Sequence, residues 1–366
     1  MKILFVAPRF HTNQVNWVNA LLENHHNVVF HCLFQGFTEN YGNLKPNIYK
    51  PCLLSRIIQR VIGSGGVNNP RGFPDPINYY REFIKLKPDV VVVRDISRWF
   101  SILVASLGRI TGSQVIIYSQ TELYKSYGTF RWLVTRIILI MFNAKWMTPI
   151  KGDKSTHQRH PKGMYFVPFA VDIEKIDHES NKSFFDLLSI GKFEERKNHL
   201  MLLKVFQKLL DNNFPVRLTL IGEVSKEIHE EKLRTCKSFI NENNLNDNVK
   251  ILVNIDHSDI SQYYKISDIF ILAATQEPAS ISVLEAIGLG TPTLCSNTNG
   301  TRYYLSENDF GLTFKDNNAE NLYTQICKLL NQENLKNYQF RIKENNKNFL
   351  SKEVFYDSFM NLLNNK

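Results

Sequence analysis

Short apolar runs alternate with longer amphipathic stretches along the whole of this 366-residue chain, and no other feature restricts its fold as much. Runs at Ile3–Ala7, Val28–Phe34, Val90–Val93 and Val115–Tyr118 are apolar at successive positions, with weaker ones at Trp146 and Phe166–Val167. A second series follows at Leu187–Gly191, Val216–Gly222, Val249–Val253, Ile269–Ala273 and Thr293–Ser296. Successive strand residues point to opposite faces, so such a run must be covered on both, as in a parallel sheet between helices. Asn198–Leu210, Lys226–Asn241 and Ser280–Leu289 read as helices of that kind. Strand–helix alternation in two series predicts two doubly wound α/β domains. The length agrees, since one compact core rarely serves so long a chain.

The polar stretch Asp172–Ser183 separates the two series. The expected division is a first domain over 1–168, a linker over 169–184 and a second domain over 185–345. Closing helices are expected over 346–366, where Phe349, Val354, Phe355, Phe359 and Leu362–Leu363 recur at helical spacing. Charge divides at nearly the same place. Residues 1–170 hold 21 Lys/Arg against 8 Asp/Glu, a balance of +13, and residues 171–366 hold 23 against 27, a balance of −4. A basic half suits an anionic partner, including an anionic membrane surface. Nucleic acid would rest on charge alone, because no module signature accompanies it.

Five cysteines without C-x-x-C spacing support neither a zinc site nor a disulfide framework, and Cys32 and Cys295 read as buried thiols of a reducing compartment. The apolar start ends at Pro8, too early for a signal peptide, and Trp132–Phe142 is interrupted by Thr135 and Arg136 and too short to span a bilayer. A cytoplasmic protein, soluble or peripheral on the inner face of the membrane, is expected. Leu53–Ile62 with Arg56 and Arg60, and Phe130–Lys145 with Arg131 and Arg136, place aliphatics at helical spacing beside cations. Such stripes are more often core-facing; lying in a membrane interface is the alternative.

The most informative stretch is Glu277-Pro-Ala-Ser-Ile-Ser-Val-Leu-Glu285, directly after the run Ile269–Ala273. Ser280 is a favoured N-cap type, and Ile281–Leu289 is apolar on nearly every side, which predicts a buried helix. A buried carboxylate without a partner is costly. Glu285 therefore either pairs with a Lys or Arg of its own domain or grips hydroxyls of a ligand. The free N–H groups that open such a helix suit a phosphate, and open α/β sheets bind ligands at the carboxyl ends of their strands. A second stretch, Gly191-Lys-Phe-Glu-Glu-Arg-Lys-Asn198, sets Lys192, Arg196 and Lys197 between a strand and a helix. These cations read as solvated charge in a turn or as a cradle for phosphates.

Together these stretches resemble the donor domain of retaining GT-B glycosyltransferases of family 4, the Glu-x7-Glu class, in a form typical of bacterial polysaccharide synthesis. The resemblance covers roughly Leu187–Phe314. Glu277 and Glu285 have the motif's spacing; Gly191, Lys192, Phe193 and Lys197 match Gly-Arg-Leu-x-x-x-Lys, with Lys in place of Arg. Leu220-Ile-Gly-Glu223 is similar to the family's strand-ending glycine turn, and Ser296-Asn-Thr-Asn-Gly-Thr301 to its glycine loop. The resemblance implies two Rossmann-like domains facing across a cleft and transfer of a sugar from a nucleotide-diphosphate donor. Lys197 and Lys192 would neutralise the leaving diphosphate, with Glu277 on sugar hydroxyls. Backbone N–H groups of Ser280, Ile281 and Ser282 would hold the distal phosphate, and Glu285 the ribose. The base would lie between Gly222–Glu223 and Asn254–Ile255. The implied partners are a nucleotide sugar and a glycan or lipid-linked glycan acceptor. No metal or other cofactor is expected, since an Asp-x-Asp motif is missing and lysines with a helix dipole can stabilise the leaving group.

The first half departs from the family pattern. Pro8-Arg-Phe-His-Thr-Asn-Gln14 stands where a glycine-rich turn is usual, Tyr118-Ser-Gln-Thr-Glu122 where a His-Asp pair is common, and Tyr303 where many members carry Glu. His11 and Glu122, at strand ends, are the acceptor-side candidates. A nicotinamide-dependent oxidoreductase fails for want of G-x-G-x-x-G after the first strand. A nucleotide-sugar epimerase of the same architecture and a non-catalytic sugar-nucleotide-binding protein remain as alternatives.

Overall fold

Two separate parallel sheets account for the two series of apolar runs. The computed structural model describes residues 1–36, 44–61, 71–124, 128–152, 160, 162–174 and 183–365. The chain forms one unit from residues 1–170 with 352–366 and a second from residues 171–351. Half of the expected linker, 175–182, lies outside the described residues.

The sheet of unit 1 contains β1 (Lys2–Val6), β2 (Asn27–Cys32), β3 (Asn47–Ile48), β4 (Val90–Arg94), β5 (Gln114–Tyr118), β6 (Ala144–Thr148) and β7 (Met164–Phe166). Their order is β3-β2-β1-β4-β5-β6-β7, all parallel, so winding reverses between β1 and β4. Its helices are α1 (Thr12–Glu23), α2 (Leu53–Val61), α3 (Pro76–Leu86), α4 (Trp99–Thr111) and α5 (Thr129–Phe142). Val90–Val93 is buried at every position, as strands covered on both faces require. Asp75 caps α3 by accepting from Asn78 N at 2.8 Å, with Pro76 in the first turn, and Gly112 ends α4 at φ 82°.

The sheet of unit 2 contains β8 (Phe185–Ile190), β9 (Val216–Gly222), β10 (Val249–Val253), β11 (Ile269–Leu272), β12 (Thr293–Ser296) and β13 (Gly311–Phe314). The order β10-β9-β8-β11-β12-β13 reverses between β8 and β11. Its helices are α6 (His199–Asp211), α7 (Glu227–Glu242), α8 (His257–Ile266), α9 (Ile281–Gly288), α10 (Arg302–Ser306), α11 (Ala319–Leu330), α12 (Gln332–Asn345) and α13 (Lys347–Leu350). The sequence pattern did not reveal β13, a four-residue edge strand. Gly311 opens it where a Cβ would lie 1.9 Å from Thr293 O, so only glycine allows the pairing. The two-residue β3 was likewise missed.

The expected closing helices part company. α13 stays with unit 2, while the last helix, α14 (Lys352–Asn364), packs in unit 1. Trp17 of α1 explains the return. Fully buried, it donates from Nε1 to Pro168 O at 2.9 Å and stacks on Phe169 and Phe355 at centroid distances of 5.6 and 5.2 Å. Lys352 Nζ meets Glu23 Oε1 at 2.7 Å, and Lys145 Nζ donates to Leu362 O at 2.8 Å. Phe355, Phe359 and Leu362 are all buried by this docking.

The stripes expected to face the core do not. α2 leaves Leu53, Leu54, Ile57 and Val61 exposed and buries Ser55 and Gln59 instead; Ile62 lies outside the described residues. α5 buries Thr135, Leu139 and Phe142 and exposes Phe130, Leu133, Ile137 and Ile140. No described helix is long and apolar enough to cross a membrane. Cys32, Cys236 and Cys295 are buried thiols.

Candidate active site

The two most informative stretches of sequence leave the sheet of unit 2 at the β8/β11 reversal, where open α/β sheets take ligands. From β8 the chain turns through Gly191-Lys192-Phe193. The buried Phe193 ring lies against Gly222 at the end of β9, where a Cβ would fall 2.3 Å from Phe193 Cε2. A 3-10 turn at Glu195–Lys197 follows, and Asn198, left-handed at φ 57°, leads into α6.

This turn is tied to the loop that precedes α9. Thr275 N donates to Arg196 O at 2.8 Å, and Gln276, at φ 46°, donates from its backbone to Thr298 Oγ1 at 3.0 Å. Gly300 N donates to Glu277 O at 2.9 Å, so the glycine loop after β12 holds the same segment. Glu277 is thereby carried onto the turn. Lys197, 9% exposed, donates from Nζ to Glu277 Oε2 at 2.5 Å, and Arg196 Nη1 donates to the same oxygen. Glu277 is itself 7% exposed, and its Oε1 takes no hydrogen bond from the described residues. Burial lowers the Lys197 pKa, and the charge of Glu277 works against that shift.

The sequence left Lys192, Arg196 and Lys197 as solvated charge or an open cradle; instead each already holds a carboxylate. Lys192 Nζ lies 2.8 Å from Glu223 Oε1, which also accepts from Ser225 Oγ at 2.6 Å, and Arg196 Nε donates to Glu194 Oε2 at 3.0 Å. Behind the turn, His199 Nε2 donates to Lys192 O at 3.2 Å, and burial pushes its pKa down to about 4, which keeps it neutral.

Ser280 occupies the N-cap position of α9, but its hydroxyl bonds Ser282 Oγ at 2.8 Å and does not cap the helix. The first-turn N–H groups at Ile281 and Ser282 are left without a side-chain cap. Glu285, expected to be buried, has a side chain 17% exposed, and among the described residues it pairs with neither Lys nor Arg. Its Oε1 meets His257 Nε2 at 3.0 Å and its Oε2 accepts from Tyr264 OH at 3.1 Å. The hydrogen bond to Glu285, and then its charge, raise the His257 pKa above 6.5. Sequence reasoning missed both partners; the need of Glu285 for a partner was the only signal available.

Asn254, at φ 56°, closes the remaining corner. Its backbone N donates to Gly222 O at 3.0 Å, while its side chain accepts from Val224 N at 2.8 Å and donates to Val224 O at 3.1 Å. Gly222–Glu223 and Asn254–Ile255 are thus neighbours. Tyr303 instead lies beneath Arg302, whose Cζ stands 4.2 Å from the ring centroid. In unit 1, His11 precedes α1 with extended backbone and accepts from Arg9 Nε at 3.1 Å. Glu122 follows β5 in the loop beside Gly152.

Residues 171–349 match the model of the family described as Glycosyl transferases group 1. The chain is similar to the GDP-Man:Man(3)GlcNAc(2)-PP-Dol alpha-1,2-mannosyltransferase of Mus musculus, 28% identical over 121 residues, 32% of this chain and 25% of that protein. It is also similar to the N-acetylgalactosamine-N,N'-diacetylbacillosaminyl-diphospho-undecaprenol 4-alpha-N-acetylgalactosaminyltransferase of Campylobacter jejuni, 23% identical over 209 residues, 56% of this chain and 54% of that one. The chain therefore spans about half or less of these relatives. Among solved structures, Anabaena HepE in complex with UDP superposes with a TM-score of 0.75 at 10% identity, covering 99% of both chains. A glycosyltransferase from Rickettsia africae gives 0.71 at 15%, covering 100% of this chain and 99% of that one. These likenesses give the fold: GT-B, two Rossmann-like domains with parallel sheets.

Proposed function

On the premise that unit 2 belongs to the glycosyl transferases of group 1, we propose that the chain transfers a sugar, with retention, from a nucleotide-diphosphate donor to a hydroxyl of a growing cell-surface glycan. The observation that carries this reading is the state of Glu277. Two cations fix its Oε2, while its Oε1 meets no described protein group, at the strand-order reversal and just ahead of an uncapped helix. A carboxylate so held is preorganised to accept from sugar hydroxyls.

Lys197 stabilises the diphosphate as the bond to the anomeric carbon breaks, and the α9 N–H groups take the distal phosphate. Lys192 joins it by exchanging part of its contact with Glu223. Glu285 holds the ribose, with His257 and Tyr264 fixing its orientation, and the base lies beside Gly222–Glu223 and Asn254–Ile255. The UDP in the HepE structure supports a nucleoside diphosphate ligand, and the diphospho-undecaprenol in the Campylobacter relative's name supports a lipid-linked acceptor. His11 and Glu122 are the acceptor-side groups in this reading. The exposed apolar faces of α2 and α5, beside Arg56, Arg60, Arg131 and Arg136, support a peripheral seat on an anionic cytoplasmic leaflet.

The reaction runs without a divalent metal, its charge work being done by lysines and a helix terminus; full turnover in excess chelator is expected, and loss restored by Mg²⁺ or Mn²⁺ would refute this. The reading as a whole is tested by melting the chain with UDP- and GDP-sugars, since a bound donor raises apparent stability by mass action. Stabilisation by none of them, or turnover of a donor without sugar transfer, would count against it.

A further inference from the structure

His229 is a polar, ionisable side chain at the head of an apolar stripe. It stands in the first turn of α7, whose buried residues are His229, Cys236 and Ile240, and it is 2% exposed. Polar groups so buried are met by partners, and those of His229 come from two different loops. Its Nδ1 accepts from Ser225 N at 3.2 Å, in the loop after β9, so the ring's proton sits on Nε2. That nitrogen faces Glu194 Oε1 at 3.6 Å, an electrostatic contact longer than a hydrogen bond. The other oxygen of Glu194 takes the 3.0 Å bond from Arg196 Nε, and Arg196 Nη1 donates in turn to Glu277 Oε2. Lys197 ends the series on that same oxygen. A line of contacts therefore runs from Ser225 through His229, Glu194 and Arg196 to Glu277. Lys232, three residues further along α7, pairs with Glu195, but the Glu195 side chain is 84% exposed. Solvent screens that pair to little effect, which leaves His229 as the contact from α7 that can direct the turn.

We infer that His229 is a positioning residue for sugar transfer: anchored by Ser225, it holds Glu194 in the orientation from which Arg196 fixes Glu277. The inference rests on the transferase reading, in which Glu277 meets the donor sugar, and adds to it a residue that touches neither donor nor reacting atoms. Without His229, the half-buried Glu194 turns toward water, Arg196 follows it, and Glu277 is left to Lys197 alone. The carboxylate stays paired but loses its aim, and small misplacements of such groups are costly. The affected ligand part is the sugar, because the nucleotide is held by other residues. A histidine that merely filled the core would act differently: its loss would lower stability and change the affinities for nucleotide and nucleotide sugar alike.

Two substitutions separate the two ring nitrogens. Asn sets its Oδ1 where Nδ1 stands, keeping the acceptor for Ser225 N, but is too short to meet Glu194; Gln sets its Nε2 near the ring's Nε2 and gives up that acceptor. The full chain is titrated calorimetrically with UDP and GDP, and with UDP-glucose and GDP-mannose. His229→Asn should leave nucleotide affinity unchanged and weaken the intact donor about tenfold, the scale of one hydrogen bond to a charged group. His229→Gln should recover most of that loss. Glu194→Ala should reproduce it, and adding His229→Asn to Glu194→Ala should cost nothing more. Wild-type donor affinity in folded His229→Asn, or equal losses in the Asn and Gln variants, would overturn the inference. Should His229→Asn not fold, Glu194→Ala decides alone, and unchanged donor affinity there overturns it. If the wild-type chain bound no nucleotide and no nucleotide sugar, the transferase reading would fail by itself. Melting would then decide this inference: the stability losses of His229→Asn and Glu194→Ala should sum to more than the loss in the double variant, and additive losses would overturn it.

Discussion

Lys197 and Glu277 show how little of a charged group's behaviour follows from its type. Breaking a buried ion pair leaves an uncompensated charge, but Arg196 also holds Glu277 Oε2, so Lys197→Ala keeps that carboxylate paired. The variant should fold and lose turnover by about 10²-fold or more, the scale for one preorganised stabiliser of developing charge; wild-type turnover in a folded variant would remove Lys197 from the mechanism. Glu285→Gln should weaken free nucleotide and intact donor alike, whereas Glu277→Gln should spare nucleotide affinity and reduce turnover. If nucleotide affinity followed Glu277 instead, the two roles would have to be exchanged. The pair of His257 with Glu285 gives a pH signature. His257 has a folded pKa raised above 6.5, so its contribution to stability is fully present below that value and is lost as pH rises through the raised one. With a side chain 40% exposed, it contributes no more than about 1 kcal/mol. Melting curves of wild type and His257→Ala should converge above that window; a constant difference across it would exclude the pair as the cause.

Gly222 shows what one element demands of another. β9 ends where the Phe193 ring fills the space in which a Cβ would stand, so Gly222→Ala must push the ring and the turn carrying Lys197. Overpacking of this kind costs about 1–3 kcal/mol, read as a lower Tm, and turnover should fall further than stability alone explains because the Lys197 turn moves with Phe193. Unchanged turnover would mean that the turn is held from elsewhere. α5 teaches the converse: its apolar stripe, legible as periodicity, proves to lie largely in the open, with only Thr135, Leu139 and Phe142 buried.

The distribution of charge belongs to the molecule as a whole. Residues 1–170 carry +13, and the cations beside the exposed stripes are themselves exposed at Arg56, Arg60, Arg131 and Arg136. Each Lys or Arg near an anionic surface contributes about 1 kcal/mol, screened over a Debye length of about 10 Å at 0.1 M salt. The chain should therefore co-sediment with anionic vesicles, release as salt rises and ignore neutral ones. Because both arginines of α2 are solvent-facing, Arg56→Glu with Arg60→Glu should fold normally, bind these vesicles less and bind nucleotide unchanged. Absence of binding at low salt would end the membrane reading.

Parallel strands announce themselves, since burial on both faces forces unbroken apolar runs, and Val216–Gly222, Val249–Val253 and Thr293–Ser296 begin and end where the sequence places them. The Glu277–Glu285 stretch and the lysine turn were legible for the same local reason, each being a strand end followed by a helix start. Everything that depended on a distant partner was not. That α14 returns to unit 1 is decided by Trp17 and Phe355, more than 300 positions apart in sequence. That Glu285 faces His257 and Tyr264, and that every cation of the lysine turn already holds a carboxylate, follows from which loops the sheet order makes neighbours. Periodicity tells that a helix has an apolar stripe, but whether anything covers it is settled only when the rest of the chain has found its place.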